Sequence, residues 1–260
     1  MPDNPRCEWP MTSYESVWKC FRRLSDENVA TALHLIARPH WPRTSGLTIA
    51  DVGCGDGLLT QQIVLHSPGT VSEVRLIDPD AGFLEEATRQ LTDTPDSIKV
   101  IARQHGVESL EDEDFLDVSV VLAVHVVYLM RDGAFDIAVR QLPVGVPLYV
   151  VLDEPNSVFS RLWGMFSTKY LQRSKTTHER IARLPEDGFT VDRTTITSHI
   201  DNPLAQRQDI KDAILSILCY ADARDFSAEE YEAAEAEIRK SLVGQQLHCE
   251  SVCYEIVRSQ

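Results

Sequence analysis

The chain has 260 residues, of which 43% are hydrophobic and 25% are charged, with a formal net charge of −15. This fits a globular protein with one large α/β domain or two small ones. The excess of acid argues against a nucleic-acid partner, since phosphate binding needs clustered Lys and Arg. No stretch is long and apolar enough for a membrane span, and residues 1–6 lack a signal core. We therefore expect a cytoplasmic protein without a membrane partner.

The chain begins with a predicted helix over residues 12–24, which places Tyr14, Trp18 and Phe21 on one face. That face either packs on the body of the protein as core or forms an aromatic lid over a substrate. A second helix is predicted to start within residues 25–28, where Ser, Asp and Asn are typical of helix starts, and to end before Pro39.

A glycine-rich turn follows the first predicted strand, which covers residues 47–52. Three glycines alternate at Gly53, Gly55 and Gly57, before a helix predicted over residues 58–66. Glycine is needed where φ is positive or where a ligand lies against the main chain. A strand, a glycine turn and a helix N-terminus together predict a nucleotide site.

The remaining pattern alternates strands and helices up to residue 166. We predict strands over residues 73–78, 98–103, 118–124 and 148–153, and helices over residues 81–91, 132–141 and 156–166. A strand over 189–200, two helices near 208–222 and 227–242, and a final strand over 248–258 complete the chain. This order predicts a doubly wound, Rossmann-like α/β fold, with a mostly parallel seven-stranded sheet and helices on both faces.

The spacing around the glycines separates two kinds of nucleotide site. Dehydrogenases carry G-x-G-x-x-G, whereas this chain reads D-x-G-x-G-x-G from Asp51 to Gly57. Asp78 ends the second predicted strand 21 residues after Gly57, where an acid accepts hydrogen bonds from ribose hydroxyls. This motif resembles motif I of the class I S-adenosylmethionine (SAM) methyltransferases. The resemblance implies SAM as the cofactor and S-adenosylhomocysteine as its product.

Four further segments resemble the histamine N-methyltransferase group of small-molecule enzymes. They cover residues 21–27, 125–132, 148–163 and 214–219, the last of these before the terminal strand. With motif I, the resemblance implies that Gly53 and its neighbours Asp51, Cys54, Gly55, Asp56 and Gly57 bind the methionine part of SAM, that Asp78 binds its ribose and that Val124 lines the cofactor. The other predicted cofactor residues follow the second and third predicted strands and should open onto the same rim as the glycine turn: Pro79, Gln104, His105 and Gly106. It implies acceptor contacts at Phe21, Glu27, His125, Tyr128, Phe159, Trp163 and Glu250.

Two of these positions depart from the pattern of the histamine group. His125 stands where the group has a glutamine that contacts substrate, and Glu250 stands where it has an asparagine. These changes put histamine itself in doubt and suggest a related pocket with a different acceptor. The predicted catalytic residues are His125, for acceptor orientation or proton removal, and Glu27, for holding an amine.

Each acceptor residue also has a structural interpretation. Glu27 suits a helix start, where the helix dipole favours acids, and His125 suits a backbone hydrogen bond after a buried strand. Phe159 and Trp163, four residues apart, could flank a cationic amine or belong to the core. The six cysteines form no Cys-x-x-Cys pair and the eight histidines are scattered, so we expect reduced thiols and no metal.

We expect a single methyltransferase domain over residues 1–260. Its predicted parts are an N-terminal helical substrate-cap segment (1–45), a SAM-binding core (46–200) and a helical insertion (201–247) before the final strand (248–258). The preferred function is methyl transfer to a small molecule, at an amine nitrogen, by a monomer. The alternatives are O- or C-methylation in a biosynthetic pathway, a non-catalytic SAM-fold binding protein and an NAD-linked oxidoreductase.

Overall fold

A computed structural model describes residues 14–92, 94, 98–130 and 133–259, with only the backbone described at 14–16. Within these residues the α-helices are α1 Tyr14–Leu24, α2 Glu27–Ile36, α3 Leu58–His66, α4 Ala81–Thr92, α5 Ala134–Gln141, α6 Val158–Phe166, α7 Thr168–Arg183, α8 Gln208–Cys219 and α9 Ala228–Ser241. The strands are β1 Leu47–Val52, β2 Val71–Ile77, β3 Lys99–Arg103, β4 Val120–Val124, β5 Pro147–Asp153, β6 Phe189–Asp201, β7 Leu242–Val243 and β8 Gln246–Arg258. None of these helices combines the length and the apolar composition that crossing a bilayer requires.

The described residues divide into two compact units that interleave along the chain. The first unit comprises the described part of Met1–Glu27 together with Glu154–Gln172 and Thr197–Glu250. The second unit comprises Asn28–Asp153, Arg173–Ile196 and Ser251–Gln260, with the same gaps. Because β6 and β8 each pass from one unit to the other, both units contain parts of these two strands.

The strand order of the sheet is β3-β2-β1-β4-β5-β8-β6. Parallel pairing joins β1 to β2 and β4, β2 to β3, and β4 to β5, whereas β8 pairs antiparallel with β5. This confirms the Rossmann-like, mostly parallel fold. The sheet has one strand more than predicted, because the two-residue β7 forms a hairpin with the start of β8.

The core of the second unit follows from the apolar runs in its strands. Five residues of β1 and the first four of β4 are buried, and every residue of β5 is buried. Side chains from both faces of the strands are therefore covered, as expected of a parallel sheet between helices. On α4 the buried positions are Leu84, Ala87 and Leu91, whereas Phe83 is only partly buried.

In the second unit, a buried carboxylate on β8 connects this strand to the segment that follows α2 and to β5. Glu255 is 2% exposed and accepts hydrogen bonds from Arg38 Nε at 3.2 Å and from Tyr149 Oη at 3.0 Å. His40 adds its backbone N–H at 3.1 Å and its ring Nδ1 at 2.8 Å. Asp192 pairs with the same Arg38 from a more exposed position. A buried charge of this kind is stable only while its partners remain.

Among the α-helices of the described residues, α7 is the one that the sequence pattern did not predict. Its buried residues are Ser174, Thr177 and Ile181, so its inner face is mostly small and polar. Hydrophobic periodicity, which identifies most helices, is therefore weak along this segment. The predicted start of α9 is confirmed, since Ser227 and Glu230 form a reciprocal capping box.

Candidate functional site

The glycine turn between β1 and α3 lies in the second unit, at the carboxyl end of β1. The three glycines have φ angles of +72°, +53° and +77°, all in the left-handed region. A side-chain Cβ at Gly53 would lie 2.2 Å from Val126 Cγ2, and one at Gly57 would lie 2.7 Å from Ala87 Cβ. Both the backbone conformation and the packing therefore require glycine in this turn.

The same turn lies where the strand order reverses direction. β1 pairs with β2 on one side and with β4 on the other. The strands that follow β1 directly, β2 and β3, therefore lie in one half of the sheet, and β4 and β5 lie in the other half. In open α/β sheets ligands bind in the crevice outside the strand ends at such a point. The contact of Gly53 with Val126, which follows β4, brings the two loops that border this crevice together.

Asp78 follows β2 and faces the glycine turn. It is 8% exposed, and its Oδ2 accepts from Gly55 N–H at 3.1 Å while its Oδ1 accepts from Asp80 N–H at 2.9 Å. Burial raises the pKa of this carboxyl, and these two hydrogen bonds oppose the rise. A carboxylate has about four lone-pair positions, so each oxygen keeps acceptor capacity for a ligand hydroxyl.

Asp51 is placed beneath the turn rather than on its surface. It is 3% exposed and accepts a hydrogen bond from the Thr60 hydroxyl of α3. The pKa of Asp51 is raised to about 7 by burial and by the nearby Asp78 charge, against the opposing effect of the Thr60 hydrogen bond. Asp56 is buried too, and its Oδ1 accepts from Leu58 N–H at 3.3 Å in the first turn of α3.

The other predicted cofactor residues of the second unit lie on the same rim or close to it. Cys54 is buried, and its backbone N–H donates to Ile77 O at 3.3 Å, next to Asp78. Pro79 and Gln104 are exposed after β2 and β3. His105 Nε2 lies 3.4 Å from the buried carboxylate of Asp114. Asp114 was not among the residues predicted to contact the cofactor or the acceptor.

Val124 ends β4, and the loop that follows carries His125 and Val126, the residue that contacts Gly53. His125 has a φ of +53°, and its backbone N–H donates to Val151 O on β5 at 2.9 Å. The ring centroid of Tyr128, which is buried, lies 6.4 Å from that of His125. His125 Nδ1 lies 3.9 Å from Oδ2 of Asp153, the last residue of β5.

The predicted aromatic residues of the first unit contact one another. Ring centroids are 6.5 Å apart between Phe21 and Phe159 and 6.2 Å apart between Phe159 and Trp163. All three rings are buried, and Tyr220 packs edge-on against Trp163 at 5.8 Å. Their burial favours the core-packing interpretation, although it leaves their predicted contact with an acceptor untested.

The two predicted acidic residues of the first unit occupy different settings. Glu27 begins α2, is partly buried, and donates its backbone N–H to Ser25 Oγ at 3.1 Å. This supports the helix-start interpretation and is compatible with a side chain that binds a ligand. Glu250 is exposed on β8, and its carbonyl accepts from Glu154 N–H at 3.0 Å.

Comparisons with solved structures identify the fold, whereas the sequence matches no protein-family model and no curated protein. A proposed methyltransferase from Bacillus halodurans is 14% identical with a TM-score of 0.60, over 90% of this chain and 100% of that one. The plantazolicin methyltransferase BpumL, solved with a triazolic desmethylPZN analogue and S-adenosylhomocysteine, is 12% identical with a TM-score of 0.54, over 95% of this chain and 91% of that one.

A third similar structure is a Haemonchus contortus phosphoethanolamine N-methyltransferase, solved with phosphomonomethylethanolamine and S-adenosylhomocysteine. It is 16% identical with a TM-score of 0.51, over 90% of this chain and 53% of that one. At these identities the similarity establishes the fold alone. The chain therefore has the Rossmann-like fold of class I methyltransferases.

Proposed function

We propose that the protein is a SAM-dependent methyltransferase that acts on a small molecule. The observation that carries the proposal is the pairing of the glycine turn with Asp78. The three glycines leave the backbone of the turn without side chains at the point where the strand order reverses. Asp78 Oδ2 lies 3.1 Å from Gly55 N of this turn. A site with this backbone and one acidic acceptor suits a nucleoside that carries a ribose diol.

The residues of the turn fit this cofactor chemically. Each Asp78 oxygen has acceptor capacity for one ribose hydroxyl, as described above. The Asp78 carboxylate places an acidic group beside the glycine turn, which suits the positive charges of SAM. The glycine spacing and the two SAH-bound structures of the same fold support SAM over a nicotinamide cofactor.

When bound, SAM supplies a methyl group activated by the sulfonium, and in-line displacement transfers it to the acceptor. The protein must hold the acceptor in line and exclude water. His125, at the crevice, would orient the acceptor or remove its proton. An amine nitrogen is the preferred acceptor, because residues 21–27 and 159–163 resemble segments of the histamine N-methyltransferase group. O- or C-methylation remains the alternative.

The cofactor part of the proposal is tested by replacing Asp78 with alanine. Losing hydrogen bonds to a charged acceptor costs about 1.5–3 kcal/mol, so the affinity for SAM should fall roughly 10- to 150-fold. Calorimetric titration of SAM measures this directly. Asp80→Ala is the matched control, because Asp80 lies in the same loop but its Oδ1 accepts from Phe83 N–H of α4 at 3.0 Å. Equal SAM affinity in Asp78→Ala and the native protein would remove Asp78 from the site.

The acceptor part is tested by following S-adenosylhomocysteine formation over a panel of amines, phenols, carboxylic acids and keto acids. Turnover confined to amines supports the preferred acceptor, and mass spectrometry of the product identifies the methylated atom. Turnover with phenols or acids alone would replace the amine with the alternative acceptor. SAM binding without turnover on any acceptor would support a non-catalytic binding protein.

A further inference from the structure

The backbone at His125 is held in a conformation that few residues adopt. Its φ of +53° lies in the left-handed region, where histidine is tolerated better than most side chains. The hydrogen bond from its N–H to Val151 O fixes this conformation against β5. Such residues persist where the surrounding structure enforces them, and they concentrate at functional sites.

Asp153 lies beside His125 because β4 and β5 are parallel neighbours. The register pairs Val124 with Val151, so the residues that end the two strands meet at the same edge. Asp153 is 2% exposed, and its Oδ2 lies 3.9 Å from His125 Nδ1. A buried carboxylate so close to an imidazole favours a proton on the nearer nitrogen.

The backbone of Asp153 is fixed from its other side by α7 and β8. His178 Nε2 lies 3.1 Å from Asp153 O, and His178 Nδ1 lies 2.7 Å from Tyr254 Oη. Because a carbonyl only accepts, Nε2 carries the proton of His178, and Nδ1 then accepts from the Tyr254 hydroxyl. The buried end of β5 is thus held in place independently of His125.

We propose that Asp153 is a positioning residue for His125, and that together they take a proton from the methyl acceptor. With the proton of neutral His125 on Nδ1, towards Asp153, its Nε2 carries the lone pair. His125 belongs to the loop that borders the crevice, since the adjoining Val126 contacts Gly53. The base role rests on the proposed methyltransferase function, whereas the positioning role does not.

The proposed step is methyl transfer with loss of one proton from the acceptor. The acceptor nitrogen or oxygen forms a bond to the methyl carbon, the carbon–sulfur bond breaks and its electron pair stays on sulfur. The proton of the acceptor moves to His125 Nε2, and the Asp153 carboxylate compensates the imidazolium charge until the proton passes to water. This assigns the acceptor to compounds with an N–H or O–H proton at the attacking atom. Carboxylates have already lost that proton at neutral pH.

The positioning role is tested without any acceptor, by NMR of protein labelled with ¹⁵N in its eight histidines. His125→Asn assigns the His125 signals, since asparagine also tolerates the left-handed region. The native protein should show neutral His125 protonated at Nδ1, and Asp153→Asn should move the proton to Nε2 or give a mixture. Asp192→Asn, a distant carboxylate of the same unit, should change nothing. The same tautomer with and without the Asp153 carboxylate would overturn the positioning role.

Three other polar side chains lie near His125 or Asp153 and bear on the tautomer of His125: Tyr128 on the same loop, and His178 and Tyr254 behind Asp153. Tyr254→Phe removes the outer hydroxyl and keeps the Asp153 carboxylate. The His125 tautomer should therefore survive in Tyr254→Phe. If the proton of His125 left Nδ1 in Tyr254→Phe but stayed there in Asp153→Asn, the tautomer would be set by His178 and Tyr254, and this would contradict the proposal.

The base role is tested with a double-mutant cycle on an amine or phenol that turns over. His125→Asn should lower kcat about 10²- to 10⁴-fold. Asp153→Asn should lower kcat at unchanged acceptor KM and SAM affinity, and it should cost nothing further in the His125→Asn background. Independent, multiplicative losses would contradict the proposal. Failure of the native protein to bind SAM would instead refute the proposed function, and the NMR result would still decide the positioning role.

Discussion

Replacing Gly53 with alanine tests how closely the glycine turn packs against the loop after β4. The φ of +72° is left-handed, and alanine there costs about 1–2 kcal/mol. Its Cβ would also lie 2.2 Å from Val126 Cγ2 and 2.7 Å from Val126 Cβ, an overpacking that adds about 1–3 kcal/mol. We therefore expect Gly53→Ala to lower the free energy of unfolding by about 2–5 kcal/mol.

Gly145 provides a matched control for this substitution. Its φ is +79°, nearly the same as at Gly53, but nothing lies within 4 Å of a Cβ added there. Gly145→Ala should therefore lose only the conformational part, about 1–2 kcal/mol. Urea unfolding followed by circular dichroism gives both values, and Val126→Gly should recover part of the excess loss in Gly53→Ala. Equal losses at the two glycines would refute the close approach of the two loops.

Two further predictions concern buried carboxylates. Because burial raises the pKa of Asp51 to about 7, the folded protein holds this proton more tightly than the unfolded chain, and stability from this group falls as pH rises from about 4 to about 7. The difference in unfolding free energy between Asp51→Asn and the native protein should rise in favour of the variant across that window, by up to about 4 kcal/mol, and level off above it. If urea unfolding gave the same difference at every pH between 4.5 and 8, this prediction would be wrong. Glu255→Gln should lower the free energy of unfolding by about 3–5 kcal/mol, because it removes the buried carboxylate that pairs with Arg38 and leaves Arg38 paired with the more exposed Asp192. Asp192→Asn should cost less than about 1 kcal/mol, because this carboxylate is exposed. Similar losses in urea unfolding for the two variants would contradict a larger contribution from the buried carboxylate.

The nucleotide half of the fold could be predicted from the sequence because its signals are local. The apolar run of β1 ends at the first glycine, and α3 has the predicted bounds Leu58–His66. Asp78 was predicted to follow a strand, and the structure places it against Gly55. Helix α7 escaped prediction because its buried face, Ser174, Thr177 and Ile181, has little apolar periodicity.

The surroundings of His125 could not be predicted in the same way. Asp153, His178 and Tyr254 belong to three different elements, and only the strand register and the position of α7 bring them together. Asp153 ends a predicted strand as Asp78 does, and this was the one signal available for it. For Phe159 and Trp163 the opposite holds, because the contact of the two rings could be predicted from their helical spacing. The spacing alone did not decide whether the rings line a ligand pocket or belong to a buried core.

The central claim is that the glycine turn and Asp78 bind SAM. Calorimetric titration of the native protein with SAM, S-adenosylhomocysteine and NADH tests it most directly. We expect SAM and S-adenosylhomocysteine each to bind at one site per chain, NADH not to bind, and Asp78→Ala to weaken the binding of both adenosyl ligands. NADH binding, or no heat with SAM while the protein is folded, would contradict it.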